Sequence, residues 1–151
     1  MNATGLDVFD KTLHSTNTWL DQLMADIGSD RQTAWHVLGA VLRALRDRLP
    51  IGLAAHLGAQ LPLLVRGLYY DEWEPGEPLK LRSQDDFLQQ VSRGLATPRP
   101  VDVNTAAQAV FCVLNHYVDP DQVEHVREAL PEQVRALWPK GTVRVGRAEV
   151  A

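Results

Sequence analysis

This chain of 151 residues contains a single cysteine, Cys112, and no long apolar segment. One cysteine excludes an intrachain disulfide and a cysteine-rich zinc site, and it favours a reducing compartment, so we expect a cytoplasmic protein. No apolar run approaches the roughly twenty residues that a membrane-spanning helix needs. The first residues also lack the basic start and apolar stretch of a secretory signal. We therefore expect no membrane association.

Positive charge is also scarce. The chain has 15 lysine and arginine residues against 19 aspartate and glutamate residues, which gives a net charge of -4 at pH 7. Without an overall basic field, a nucleic-acid partner is disfavoured, although Arg43, Arg46 and Arg48 are predicted to form one basic helix surface.

Motifs that carry chemistry are absent as well. The sequence has no glycine-rich phosphate loop, no HExxH pair and no nucleophile elbow. It therefore indicates no catalytic residue, no metal site and no cofactor, and a non-enzymatic protein is favoured over an enzyme.

The main feature that is present is an internal repeat. Residues 56–69 return sixty-nine positions later as residues 125–138, with six of the fourteen positions identical. Further upstream, residues 19–27 match residues 87–95 at a spacing of sixty-eight. Self-similarity of this kind is typical of repeated helical units. We therefore interpret the chain as a tandem duplication.

Apolar residues recur at helical spacing in both copies, so the predicted fold is all-α: a tandem duplicated helical bundle with about four helices in each repeat. Gly28 is the expected left-handed stop of the first helix. The later helices are predicted as follows: residues 31–48 after a cap at Ser29 or Asp30; 51–60; one opened by Pro62; 87–95; a long one capped by Asn104 or Thr105; 121–129; and one opened by Pro131.

The boundaries of these units follow from the repeat and from the polar, proline-containing stretch before residue 85. Residues 1–84 would hold an N-terminal helix, the first repeat and a linker. Residues 85–139 would hold the second repeat, and residues 140–151 a mobile tail, all in one compact unit. The cluster Ser15-Thr16-Asn17-Thr18 leaves open whether residues 6–27 form one helix or two.

The segments FLQQV, VLRALRDRL and LPEQVRALW, at residues 87–91, 41–49 and 130–138, resemble a known family. They are similar to the bacterial family of domains of unknown function called DUF2267, over about residues 9–139. The resemblance implies a helical fold and no established activity, cofactor or catalytic residue. The second copy departs from the pattern, with Asn115-His116-Tyr117 where the first has Arg46-Asp47-Arg48.

Arg66 and Arg135 are the arginines shared by both copies, and two interpretations are open. Each could bind an anionic group near the first turn of the helix that a proline opens. Alternatively, each could pair with a carboxylate or with the free carbonyls at the end of the long helix. We favour the structural role, because two equivalent positions are what a repeat requires.

The histidines and the cysteine invite functional interpretations that we disfavour. His56 and His125 occupy equivalent positions, but no second ligand repeats beside either, so we expect rings packed at the edge of the core. Cys112 lies in an apolar helix without a neighbouring cation, so we expect a core thiol.

Three residues of the first copy are more apolar than their counterparts. Leu63, Leu64 and Tyr70 stand where the second copy has Glu132, Gln133 and Pro139. A helix that is apolar all round must be covered. Burial under the N-terminal segment or the other copy is the favoured explanation. The alternative is a surface for a partner or a second copy, formed by Leu63, Leu64, Tyr69, Tyr70 and Trp73.

Two functions follow from these observations. The leading hypothesis is a cytoplasmic helical interaction or scaffold protein, with a protein partner or a homodimer. The second is a binder of a small anionic ligand, or an enzyme acting on one, that uses a cleft between the two repeats and holds the anion with Arg66 or Arg135.

Overall fold

The computed structural model describes residues 4–95 and 101–140, and this part of the chain folds into eight α-helices without a β-strand. The helices are α1 Asp7–Ile27, α2 Arg31–Arg48, α3 Ile51–Ala59, α4 Leu63–Tyr70, α5 Gln84–Gly94, α6 Val103–Tyr117, α7 Pro120–Glu128 and α8 Glu132–Arg135. The all-α prediction is confirmed. Within the described ranges, no helix is both long and apolar enough to cross a membrane. The predicted mobile tail lies outside them, apart from Lys140.

Helix α1 is one continuous helix, so the polar cluster at residues 15–18 does not interrupt it. Thr16 is buried in the helix packing, and the hydroxyl of Thr18 donates to the carbonyl of His14 at 2.9 Å. Both threonines are thereby accommodated within a regular helix. The helix ends at Gly28, whose φ of 66° and N–H bond to the Met24 carbonyl confirm the predicted left-handed stop.

Aspartate side chains cap the first turn of α2 and of α6, which are the long helix of the first half and of the second half. Asp30 accepts the N–H of Thr33 at 2.8 Å, as one of the two predicted caps of α2. The prediction of Asn104 or Thr105 as the cap of α6 is wrong, because Asp102 accepts the N–H of Thr105 from two residues before Asn104. Hydrogen bonds from Thr105, with its hydroxyl first, hold the pKa of the Asp102 carboxyl below its ordinary value.

The two halves of the chain share one core. Helix α1 packs on both α2 and α6, and α5 packs on both α6 and α2, so each of these helices contacts the long helix of either half. The long helices contact each other, and α3 packs against α7. Phe111 of α6 stacks on Trp138 with ring centroids 4.3 Å apart, and Phe87 of α5 lies beside it. The folded unit therefore depends on contacts that cross from one half to the other.

Several helix bounds in the two halves correspond, and others differ. Helices α3 and α7 begin and end sixty-nine positions apart, and Pro62 and Pro131 precede α4 and α8 with φ of -55° and -56°. Helix α5, however, begins at the position that matches Thr16, in the middle of α1. The first nine residues of α1, residues 7–15, therefore have no counterpart in α5, and they are called the α1 extension below.

Candidate functional site

The α1 extension lies over the start of α4. Thr12 is buried, and its hydroxyl oxygen accepts the N–H of Leu64 at 3.1 Å. Pro62, the residue before α4, supplies no side-chain cap, so Thr12 satisfies one of the free amides in the first turn. The extension is thus joined to the first half of the chain through a tertiary cap.

Apolar side chains remain exposed where these two helices meet. Leu63 is 48% exposed and Leu64 42%, so the favoured expectation that the chain itself buries them is wrong. The α1 extension contacts α4, with Thr12 bonded to Leu64, but it leaves both leucines exposed and carries further exposed apolar side chains. Six residues, called the α1–α4 surface, share this exposure: Leu6, Val8, Phe9, Leu13, Leu63 and Leu64.

The aromatic residues predicted to continue this surface lie elsewhere. Tyr69 is fully buried and its hydroxyl donates to the Ala54 carbonyl at 2.7 Å, so its assignment to an exposed surface is wrong. Burial, followed by the effect of Tyr70, raises the pKa of the Tyr69 phenol. Tyr70 and Trp73 are partly buried and stack on each other with centroids 5.4 Å apart. Only Leu63 and Leu64 of the predicted set are largely exposed apolar residues.

A groove opens on one side of the α1 extension, between α1, α4 and the end of α6. This α1–α4 groove encloses ≈ 460 Å³. Trp19 and Tyr117 lie in it and stack with centroids 5.6 Å apart. Its lining residues are Val8, Lys11, Thr12, Ser15, Trp19, Gln60, Leu61, Pro62, Leu63, Arg66 and Tyr117. Lys11 and Arg66 are the two cations in this set, which contains no carboxylate.

Arg66 and Arg135 both bind the backbone at the end of a short helix. Arg66 donates from Nε to the Gly58 carbonyl at 3.0 Å and from Nη2 to the Leu61 carbonyl at 3.0 Å. Arg135 donates from Nη2 to the Leu130 carbonyl at 3.0 Å. These carbonyls lie in the last turn of α3 or just after α3 and α7, so the expected pairing with the end of the long helix is wrong. Arg66 also lines the α1–α4 groove, whereas Arg135 does not.

Arg46 was predicted to lie on a basic helix surface, but it is only 4% exposed. It donates from Nη1 to the carbonyls of Tyr69 and Asp71 at 2.8 and 2.9 Å, and from Nε to the Asp47 carboxylate at 2.8 Å. Its assignment to a basic solvent-facing surface with Arg43 and Arg48 is therefore wrong. The guanidinium instead holds the end of α4 against α2.

Asn115 stands at the corresponding position in the second half and makes similar bonds. Its Nδ2 donates to the Pro139 carbonyl at 2.8 Å, and its Oδ1 accepts the indole N–H of Trp138 at 2.8 Å. Arg46 and Asn115 differ in charge, yet each ties the segment after the last helix of its half to a long helix. The signal available in the sequence was their shared place in the repeat.

The other titratable candidates do not form a site. His56 and His125 are both exposed, so the expectation of rings packed at the edge of the core is wrong. Cys112 is half-buried rather than in the core. Burial, and secondarily Asp26, raises the pKa of its thiol. The described residues contain no group of three or more histidine, cysteine, aspartate or glutamate side chains that could hold a metal ion.

A protein-family model matches most of this chain. The model of a family described as "Uncharacterized conserved protein (DUF2267)" matches residues 16–137. The chain matches no curated protein. The matched region begins at Thr16, immediately after the α1 extension, and it includes α4 with Leu63, Leu64 and Arg66. One wall of the α1–α4 groove, with Val8 and Lys11, therefore lies outside it.

Proposed function

Because the chain belongs to the DUF2267 family, whose description names no activity, we propose its function from its geometry: it is a helical interaction protein that pairs with a second copy of itself through the α1–α4 surface. The observation that carries this proposal is the exposure of six large apolar side chains, five on the adjoining helices α1 and α4 and one, Leu6, just before α1. Such patches on soluble proteins are commonly interaction sites.

The size of the patch supports a stable contact. Six side chains that are 42% to 55% exposed leave on the order of 500 Å² of apolar surface in contact with water. A standard interface buries about 800 Å² on each partner, and somewhat more than half of that area is apolar. The α1–α4 surface can therefore supply the apolar part of such an interface.

Self-pairing is favoured over other partners for two reasons. In a two-fold dimer the same patch meets itself, so the apolar areas of the two sides match. The other large exposed apolar residues in the described part of the chain, Ile51, Leu79 and Tyr117, form no second patch of this size.

We further interpret the two halves as related units of one ancestral repeat. The corresponding bounds of α3 and α7, the matched prolines, and the carbonyl bonds of Arg66 and Arg135 support this interpretation. In such a repeat the α1 extension is the added element. A cytoplasmic location belongs to the same proposal and is supported by the single cysteine.

The test is the molar mass of the full chain in solution, measured by sedimentation or light scattering over a range of concentrations. We expect the wild type to be a dimer and the Leu64→Gln variant to dissociate. Glutamine is chosen because it occupies the corresponding position, Gln133, in the second half. The substitution acts on both copies and removes roughly 2–3 kcal/mol of apolar burial, which weakens dimerisation by about thirty- to a hundred-and-fifty-fold.

Ile51→Gln is the matched control. Ile51 is 46% exposed, close to the value for Leu64, but it lies outside the α1–α4 surface. Its replacement should leave the dimer intact, and circular dichroism should show the same helix content for both variants. A wild type that is monomeric at every concentration, or equal dissociation of both variants, would show that this surface does not mediate self-association.

A further inference from the structure

The α1–α4 groove has the volume and lining of a small-molecule site. Its ≈ 460 Å³ falls within the range of ligand pockets, and its walls combine apolar and polar side chains in similar measure. Val8 of α1 and Leu63 of α4 contribute apolar side chains from the two helices, and Leu61, just before α4, adds a third. Trp19 and Tyr117 add stacked aromatic surface. An aliphatic segment would therefore be in contact with apolar side chains along its length.

The charges in the groove are all of one sign. Lys11 from α1 and Arg66 from α4 line it, and no aspartate or glutamate does, although the whole chain carries a net charge of -4. Neither cation forms an ion pair with another described residue. Two unneutralised cations facing one apolar groove attract an anion.

Arg66 retains hydrogen-bonding capacity for such an anion. Its Nε and Nη2 bind backbone carbonyls, which fix the orientation of the guanidinium. Its Nη1 has no hydrogen-bond partner among the described residues. The planar edge that remains can donate to one oxygen of a carboxylate, while the ammonium group of Lys11 reaches the same anion from the other helix.

The first turn of α4 has one amide fewer to offer a bound anion than an uncapped helix start. Phosphate sites at helix starts use the free backbone amides of the first turn. At α4 the amide of Leu64 is already bonded to Thr12, and Pro62 has no N–H. We therefore propose that the α1–α4 groove binds an amphipathic carboxylate, with its aliphatic chain between Val8 and Leu63 and its carboxylate at Lys11 and Arg66.

Val8 and Leu63 belong to both the groove and the α1–α4 surface, so ligand binding and self-association are separated by a variant that lies outside the groove. Leu64 does not line the groove, and Lys11 and Arg66 are not members of the α1–α4 surface. Binding is therefore measured by isothermal titration calorimetry both in the wild type and in Leu64→Gln. Decanoate is the probe, and decanol and acetate are the comparison compounds. The first lacks the charge and the second lacks the aliphatic chain.

We expect decanoate to bind with a stoichiometry of one per chain, decanol to bind at least ten-fold more weakly, and acetate not to bind. Lys11→Gln should weaken decanoate binding by about two- to five-fold, the effect of losing one exposed ion pair. Lys80→Gln, which removes an exposed lysine of the linker, should leave it unchanged. Raising the salt concentration should reduce the difference in decanoate affinity between the Lys11→Gln and Lys80→Gln variants.

Arg66→Gln should weaken binding further, and Arg135→Gln is its matched control, because Arg135 binds the equivalent carbonyl but lies outside the groove. If Arg66→Gln does not fold, Lys11→Gln and Lys80→Gln still decide the question. Absence of decanoate binding, equal affinity for decanol, or equal affinity of the two lysine variants would each overturn the proposal. None of these results bears on whether the wild type is a dimer.

Discussion

Replacing Arg46 with methionine should destabilise the fold more than any other single change of charge on α2. The guanidinium is 4% exposed and makes three hydrogen bonds, two of them to the carbonyls of Tyr69 and Asp71. Methionine has a similar length but leaves both carbonyls and the Asp47 carboxylate without this partner. Each lost bond to the charged guanidinium costs about 1.5 kcal/mol, and removal of the buried charge offsets part of the sum. We expect the free energy of unfolding to fall by roughly 2–4 kcal/mol.

Urea unfolding followed by circular dichroism measures this loss, with the midpoint expected to fall at an unchanged slope. Arg43→Met is the control: Arg43 donates to the Leu68 carbonyl and pairs with Asp71, but its side chain is 29% exposed. Its replacement should cost no more than about 1 kcal/mol. Equal losses for the two variants would refute the idea that the buried guanidinium holds α4 in place.

Two further predictions concern close packing and thiol reactivity. A methyl group at Gly58 would overlap the Tyr70 hydroxyl, whereas one at Gly67 meets open space. Gly58→Ala should therefore lower the free energy of unfolding by about 1–3 kcal/mol, and Gly67→Ala should raise it by up to about 1 kcal/mol, in the same urea experiment. Because burial raises the pKa of the Cys112 thiol, its alkylation should reach half-maximal rate at higher pH in the folded chain than in the urea-unfolded chain. As pH rises through the ordinary thiol pKa, the unfolded state ionises first, so this group then lowers stability. Equal pH midpoints for alkylation of the folded and the urea-unfolded chain would contradict the prediction about the thiol.

Local signals in the sequence explain why the helices could be predicted. The bounds of α2 match the prediction at Arg31 and Arg48, because an aspartate cap precedes it and Pro50 follows it. Gly28 likewise supplies the left-handed residue that ends α1. These features depend on residues within one turn of the helix end, so a single sequence contains them.

The burial of Tyr69 could also have been predicted. It lies four residues after Val65, and both are fully buried on one face of α4. Grouping it with Leu63 and Leu64 ignored this spacing, since those two residues occupy other faces. Helical phase therefore separates the exposed leucines from the buried tyrosine without a structure.

Other features of the site depend on which segments meet in space. The roles of Arg46 and Asn115 require the segment after α4 or α8 to return to a long helix, and no local pattern indicates this contact. The same holds for Thr12, whose hydroxyl caps α4 from a position fifty-two residues earlier. Likewise, Lys11 and Arg66 face one groove only because the α1 extension crosses α4.

Self-association through the α1–α4 surface can be followed residue by residue from the backbone amide chemical shifts of the full chain during dilution. We expect the chemical shifts of Phe9, Leu13 and Leu64 to change with concentration. Those of Ile51 and Leu79, which are exposed to a similar degree but lie outside the α1–α4 surface, should stay constant. The same resonances should stop responding to dilution in Leu64→Gln. Shifts that change at Ile51 and Leu79 instead, or at no residue, would contradict the claim.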